Sequence, residues 1–338
     1  MKPSSDASLD ALIGKMRSAA SPLRERLMDI HSRIKSNADG KLACYIPELS
    51  RVDPNLFGVS IVSVDGRSID VGDADAPFTI QSVSKPFVFG LGLEDHGRDY
   101  VLSKIGVQPV GEAFNTVVLD EVSNRPYNPM INAGAIASAD LIQGSNYAER
   151  VSRMLDMFRR YFGHPVHIDS SVYASERTTG HRNRAIAHLM LNFGMIEPRI
   201  EETLDLYFQQ CSILATSHDL AVMGATLANR GVNPITGERA IDACYVKDLL
   251  SVMYNCGMYD FAGEWGYRIG IPAKSGVGGG IVAVVPGKIG IGTFSPKLDP
   301  KGNSVRGIQF FNELIKHYSL NVFDRDEDQC LILEHFSK

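Results

Sequence analysis

The chain has 338 residues, 44% of them hydrophobic, and a net charge of -5. That is enough apolar material for one large domain or two, the charge offers no electrostatic case for nucleic acid, and no apolar stretch approaches membrane-span length. The five cysteines (Cys44, Cys211, Cys244, Cys256, Cys330) are scattered with no Cys-x-x-Cys, and no apolar run follows Met1–Asp6. A cleaved signal peptide is therefore not expected, and a reduced, cytoplasmic setting fits best.

Residues 7–37 carry Leu9, Leu12, Ile13, Met16, Leu23, Leu27, Ile30 and Ile34 at three- and four-residue spacing. That spacing predicts a helix, which Gly40 ends. Phe57–Val64 reads as a strand, Asp65-Gly66 as a two-residue hairpin turn and Arg67–Val71 as the return strand. Next comes Gln81-Ser82-Val83-Ser84-Lys85-Pro86, followed by the apolar run Phe87–Leu93. The run predicts a buried helix with Ser82 at its first turn. A serine three residues before a lysine puts hydroxyl and amine on one helix face, and such a pair can catalyse acyl transfer without histidine or metal. Ser-x-x-Lys arises by chance about once in a chain of this length. A second copy, Ser32-Arg33-Ile34-Lys35, sits in a charged, solvated stretch. Ser82 taken alone also reads as an ordinary helix-capping serine.

From Ser82 to about residue 265 the patterns are mainly helical: 136–142, 147–161, 182–193, 217–228 and 240–253. His164-Pro165-Val166-His167 reads as a loop rather than a metal site, and no metal or cofactor is expected. Strands resume at 267–274, 279–285 and 289–294, with Pro286-Gly287-Lys288 as a turn, and 307–318 reads as a closing helix. Asp324-Arg325-Asp326-Glu327-Asp328 reads as a solvated acidic tail. The simplest sheet pairs the two early strands with the three late ones. The predicted fold class is thus α+β, an antiparallel sheet flanked by terminal helices with a helical domain inserted. The expected organisation is an N-terminal helical segment (1–38), a single catalytic unit (39–318) and the tail (319–338). Within the unit, 39–75 and 266–318 form the sheet part and 76–265 the helical part. An active site would lie in the cleft, between the Ser82 helix and the strand carrying Lys274.

Ser-x-x-Lys together with Lys274-Ser275-Gly276 resembles the β-lactamase and penicillin-binding fold. The local sequences are most similar to one family with that fold, the serine-dependent glutaminases. The resemblance runs from about Gly40 to about Tyr318. It is carried by 43–49 (Ala-Cys-Tyr-Ile-Pro-Glu-Leu), 81–86, 128–136 (Asn-Pro-Met-Ile-Asn-Ala-Gly-Ala-Ile), Ser175-Glu176-Arg177 with Asn183, Tyr207-Phe208-Gln209, 256–261 (Cys-Gly-Met-Tyr-Asp-Phe) and 273–277 (Ala-Lys-Ser-Gly-Val). It implies hydrolysis of L-glutamine to L-glutamate and ammonia. In family terms Ser82 is the nucleophile, and the N–H groups of Ser82 and Val277 form the oxyanion hole. Glu176 would meet the substrate ammonium, and Asn132, Asn183, Tyr45 and Tyr207 would donate to its carboxylate. The glycines after Val277 would let backbone approach a ligand closely. A free lysine, with a pKa near 10.4, cannot accept a proton at neutral pH. Burial and a second ammonium, Lys274, would lower the value for Lys85. Lys85 is then expected to be the general base, with Tyr259 as proton relay. Relatives form dimers and tetramers, so a homo-oligomer is expected.

Each residue also has a plainer reading. Residues 176–183 look like a polar surface loop, Asn132 like a helix cap, Lys274 like a strand-end surface lysine, and Tyr207 and Tyr259 like half-buried tyrosines. Rival activities are another serine acyl-transfer enzyme, an asparaginase or a non-catalytic amino-acid sensor.

Overall fold

The computed structural model describes residues 21–111, 116–323 and 332–336. In chain order the described elements begin with helix α1 (Pro22–Lys35), the hairpin β1 (Gly58–Ser63) and β2 (Ser68–Gly72), and the short β3 (Phe78–Thr79). Helices α2 (Lys85–His96), α3 (Arg98–Lys104), α4 (Asn132–Asp140), α5 (Tyr147–Phe162), α6 (Ser170–Thr179), α7 (His181–Asn192) and α8 (Ile200–Cys211) follow. Then come β4 (Leu214–Ala215), α9 (Ser217–Ala228), α10 (Ala243–Cys256), α11 (Ala262–Arg268), β5 (Ala273–Ser275), β6 (Gly280–Val285), β7 (Ile289–Phe294) and α12 (Val305–Leu314). The amino-terminal part of the expected first helix and the acidic tail lie outside the described residues. No described helix is long and apolar enough to cross a membrane.

The two early strands do pair with the three late ones. The order is β2-β1-β7-β6-β5, and every pairing is antiparallel. Alternation in the strands explains the layers, because successive side chains point to opposite faces. Val59 and Ile61 of β1, Ile281 and Ala283 of β6, and Ile289 and Ile291 of β7 face α1 and α12. From those helices come Leu23, Leu27, Ile30 and Ile34, and Phe310, Phe311 and Leu314. The opposite face meets α9, where Val62 packs on Ala221, Val222 and Ala225. Helix α9 starts at a capping box in which Thr216 and Asp219 each bind the other's backbone N–H, at 3.1 and 2.8 Å.

The β7 sequence Ile-Gly-Ile-Gly serves this contact. A Cβ on Gly290 would stand 2.0 Å from the Ala225 nitrogen, and one on Gly292 2.0 Å from the Ser217 carbonyl oxygen. Helix and sheet therefore touch backbone to backbone. Gly290→Ala is expected to destabilise the fold by about 3 kcal/mol, the upper range for overpacking. Urea unfolding measures this, and an unchanged midpoint would refute the close contact.

Helices α2–α5, α7, α8 and α10 share a second core cluster running from Phe78 to Cys256, which also takes in Val282, Val284 and Phe294, while α11 packs in the first through Ala262 and Trp265. The expected strand at 267–274 is the main correction. Tyr267 ends in α11, and only Ala273–Ser275 is strand. The alternation of Tyr267, Ile269 and Ile271 mimics a strand, but Gly270 at φ +72° breaks the extended backbone. Trp265 then fixes the connection by donating from Nε1 to the Ile271 carbonyl, 2.8 Å away.

Candidate active site

The β3–β4 pair leads the chain into the Ser82 turn. Ile80 N–H donates to the Ile213 carbonyl (2.8 Å), and a 3-10 turn over Gln81–Ser84 follows. Lys85 opens α2, one turn beyond Ser82. Ser82 is not a cap, since neither the turn nor α2 carries a side-chain cap bond. Gln81 stands at φ +50° and Tyr259 at φ +55°. Non-glycine residues in this region are strained, and such strain clusters at functional sites.

The β5–β6 connection lies against the same turn. A Cβ on Gly276 would meet the Ile80 carbonyl oxygen at 2.9 Å, and one on Gly278 the Thr79 carbonyl oxygen at 2.5 Å. The glycines around Val277 thus serve close packing of protein on protein. This packing sets Val277 opposite Ser82.

A cavity of about 310 Å³ opens here. Of the residues expected from sequence it brings together Tyr45, Ser82, Asn132, Glu176, Asn183, Tyr207 and Val277. Glu176 and Asn183 stand on α6 and α7, not on a surface loop. Asn132 is the first residue of α4 and does not cap it. Tyr207 is 4% exposed and Tyr259 8%, both more buried than ordinary half-buried tyrosines. Tyr259 does not line this cavity, and instead lines a larger one of about 840 Å³.

Lys85 is fully buried. Its Nζ donates to Asn132 Oδ1 (2.8 Å) and to the Met130 carbonyl (3.2 Å), and Asn132 Nδ2 in turn donates to Asn183 Oδ1 (3.0 Å). Burial lowers the Lys85 pKa to about 8, while Cys211 and Glu176 pull it upward. Lys274 is equally buried and is no surface lysine. It donates to the carbonyls of Gly257 (2.9 Å) and Ser275 (2.5 Å) and lies 4.2 Å from the centre of the Tyr259 ring. Burial and then the Lys85 charge depress its pKa strongly. The two lysines are thus close enough to repel, but the effect falls on Lys274 and not, as expected, on Lys85, which burial alone lowers.

Tyr259 joins these groups. Burial pushes its phenol well above the ordinary value, and hydrogen bonds from Ser82 and the Val277 backbone act against that shift. Its hydroxyl therefore stands beside both the serine and the Val277 N–H. Glu176 is 7% exposed. Burial raises its pKa, and bonds from Tyr45 and Gln81 with the Lys85 charge hold it back. The Tyr45 hydroxyl donates toward Gln81 Oε1 (2.7 Å) and Glu176 Oε1 (3.2 Å).

Gln81, Thr179, Gly180, Arg182 and Cys211 also line the cavity and were not expected from sequence. Cys211 is buried beside Tyr207, and burial pushes its thiol up to about 12, so it stays protonated. Neighbouring positions were the only available signal: Gln81 precedes Ser82, Arg182 precedes Asn183, and Cys211 is one helical turn past Tyr207. His164 binds Asp219 Oδ1 (2.7 Å), and among the described residues no group of three or more His, Cys, Asp and Glu could hold a metal.

Chemically, this is an alcohol beside a buried amine and a phenol, with one carboxylate across a polar cavity. The family model described as Glutaminase matches residues 40–323. A protein named Glutaminase from Nostoc sp. is 62% identical over 92% of this chain and 93% of its own length. The solved structure named probable glutaminase ybaS superposes with a TM-score of 0.86 at 41% identity, covering 90% of this chain and 99% of that one. A probable glutaminase from Bacillus subtilis, complexed with 6-diazo-5-oxo-L-norleucine, has a TM-score of 0.82 at 33% identity and covers 89% and 96%. With the match spanning nearly the whole described structure, the chain belongs to the serine-dependent glutaminase family.

Proposed function

We propose that this protein hydrolyses the side-chain amide of L-glutamine to L-glutamate and ammonia through an acyl-enzyme on Ser82. The observation that carries this is the meeting of Ser82 and buried Glu176 around one polar cavity, with buried Lys85 behind its wall on Asn132 Oδ1. Glu176 takes the α-ammonium. Asn183, Tyr207 and Asn132 supply donors toward the α-carboxylate, and Tyr45 braces Glu176. Ser82 Oγ attacks the amide carbon, and its proton passes through Tyr259 to neutral Lys85. The N–H groups of Ser82 and Val277 hold the developing oxyanion. The C–N bond breaks as Lys85 returns the proton to the leaving nitrogen, which departs as ammonia. Water, deprotonated by the same amine, then opens the ester to release glutamate. Lys274, under the Tyr259 ring, keeps Tyr259 in place, and burial keeps Lys85 short of protons.

The β-lactamase-like fold fits the antiparallel sheet with its helical insertion. The division into a sheet part (39–75 and 266–318) and a helical part (76–265) follows the two core clusters in the main, with Val282, Val284 and Phe294 of the sheet packing in the helical cluster and Met258, Phe261, Ala262 and Trp265 in the sheet cluster.

Ammonia release by the purified chain tests the function. Turnover is expected on L-glutamine. L-Asparagine, one methylene shorter, is expected to react about 10- to 200-fold less efficiently. Penicillin labelling of Ser82 without ammonia from either amino acid would replace the proposal with the β-lactam-binding alternative.

A further inference from the structure

The cavity has a built-in polarity. Lys85 can only donate when protonated, and it takes Asn132 Oδ1 at 2.8 Å. Asn132 is thereby forced to present Nδ2 to Asn183 Oδ1, 3.0 Å away. Asn183 is left with its own Nδ2, which donates to no described residue. A donor is thus fixed at this wall. Asn183 stands in the first turn of α7, whose cap, Gly180, offers no side-chain acceptor. The unpaired first-turn N–H groups add partial positive charge on the same side.

Arg182 is the preceding residue in that turn. It lines the cavity, and among the described residues it is the only lining cation, as Glu176 is the only lining carboxylate. Its guanidinium makes no hydrogen bond or ion pair with any described residue. Its neighbours are engaged: Arg177 leans toward Asp205 (3.8 Å) and Arg184 toward Glu201 (3.7 Å). An exposed arginine with no protein partner is usually just solvated. Here it sits at the mouth of a cavity whose buried end is anionic and whose donors converge on its own wall.

We infer that Arg182 is a specificity-determining residue whose guanidinium pairs with the α-carboxylate of the substrate. It would thereby select free amino acids over α-amidated or peptide-linked ones. The inference rests on the glutamine reading of this cavity. Glu176 at the closed end and Arg182 at the mouth together orient a zwitterion, so that the side-chain amide points at Ser82. Because Arg182 is exposed, its contribution is screened by salt.

The test compares L-glutamine with L-glutaminamide, in which a neutral carboxamide replaces the α-carboxylate. Release of glutamate and of glutamic acid α-amide is followed with the full chain. Arg182→Gln is expected to lose about tenfold in kcat/KM on glutamine, mainly through KM, as for one charge-assisted contact at a wet site. Its kcat/KM on glutaminamide should stay at the wild-type value. The wild-type preference for glutamine should shrink at about 0.5 M salt, where screening is strong, and the variant's should not. Arg184→Gln, on the same helix but outside the cavity, should keep the wild-type ratio. If glutaminamide proves inert, its inhibition constant against glutamine takes the place of its kcat/KM. Equal losses on both substrates, or no loss on glutamine, would overturn the role of Arg182. A wild type inactive on glutamine would instead sink the glutaminase reading, and this inference with it.

Discussion

Ser82→Ala is expected to leave a folded protein that releases ammonia from glutamine about 10⁴-fold more slowly, or worse. Loss of a serine nucleophile has effects of this order, because residual catalysis comes only from binding and oxyanion donors. The fold should barely notice the change. The side chain lost is one hydroxyl, and Tyr259 keeps its bond from the Val277 backbone. Two measurements make the outcome specific. Ammonia release gives the rate, and mass spectrometry of acid-quenched turnover should find an acyl adduct on wild type and none on the variant. A variant retaining a tenth of wild-type activity would show that water attacks without a covalent intermediate.

Lys85→Met is expected to cost about 10³-fold in kcat, the usual size of a general base contribution. Methionine fills nearly the same volume and removes the penalty of burying an ammonium, so the protein should remain folded. The pH profile separates base from bystander. Burial holds the Lys85 pKa near 8. The neutral amine is the active form, so wild-type kcat/KM should climb about tenfold between pH 6 and 7 and level off above about pH 9. The residual activity of Lys85→Met should lose that rise. A flat wild-type profile from pH 6 to 9, with chemistry rate-limiting, would remove Lys85 from the role.

Much of this was legible in the chain because local signals and tertiary demands agree. Asp65-Gly66 closes the hairpin where a turn with positive φ is needed, and Gly66 stands at φ +85°. Ser217–Ala228 is a helix at the limits its pattern suggested. Legibility failed where a short apolar alternation met a backbone break, as at Tyr267–Ile271. It also failed where polar residues form helices. Ser170–Thr179 buries only Val172 and Glu176, so its composition resembles a loop, whereas 182–193 already read as a helix. The Ser82–Lys85 pair was visible as spacing, but spacing alone could not separate it from Ser32–Lys35. Burial separates the two, since Lys85 is fully enclosed and Ser32 and Lys35 are exposed. The orientation of Asn132 and Asn183, and with it Arg182, depends on contacts between residues 47 and 51 positions apart. No local pattern records that.

The placement of β1 between β2 and β7 also bears on how the chain must be made. One edge of β1 is satisfied at once by its hairpin partner. The other waits for β7, which leaves the ribosome only after the whole helical stretch. At about 5–20 residues per second the wait is about 10–50 s. For that interval an apolar strand edge is open to solvent, and no local folding event can close it. The last strands to be synthesised therefore complete both the sheet and the wall carrying Val277. A nascent chain lacking them has its serine and lysine but no assembled catalyst, and it carries the open edge that promotes association with other chains.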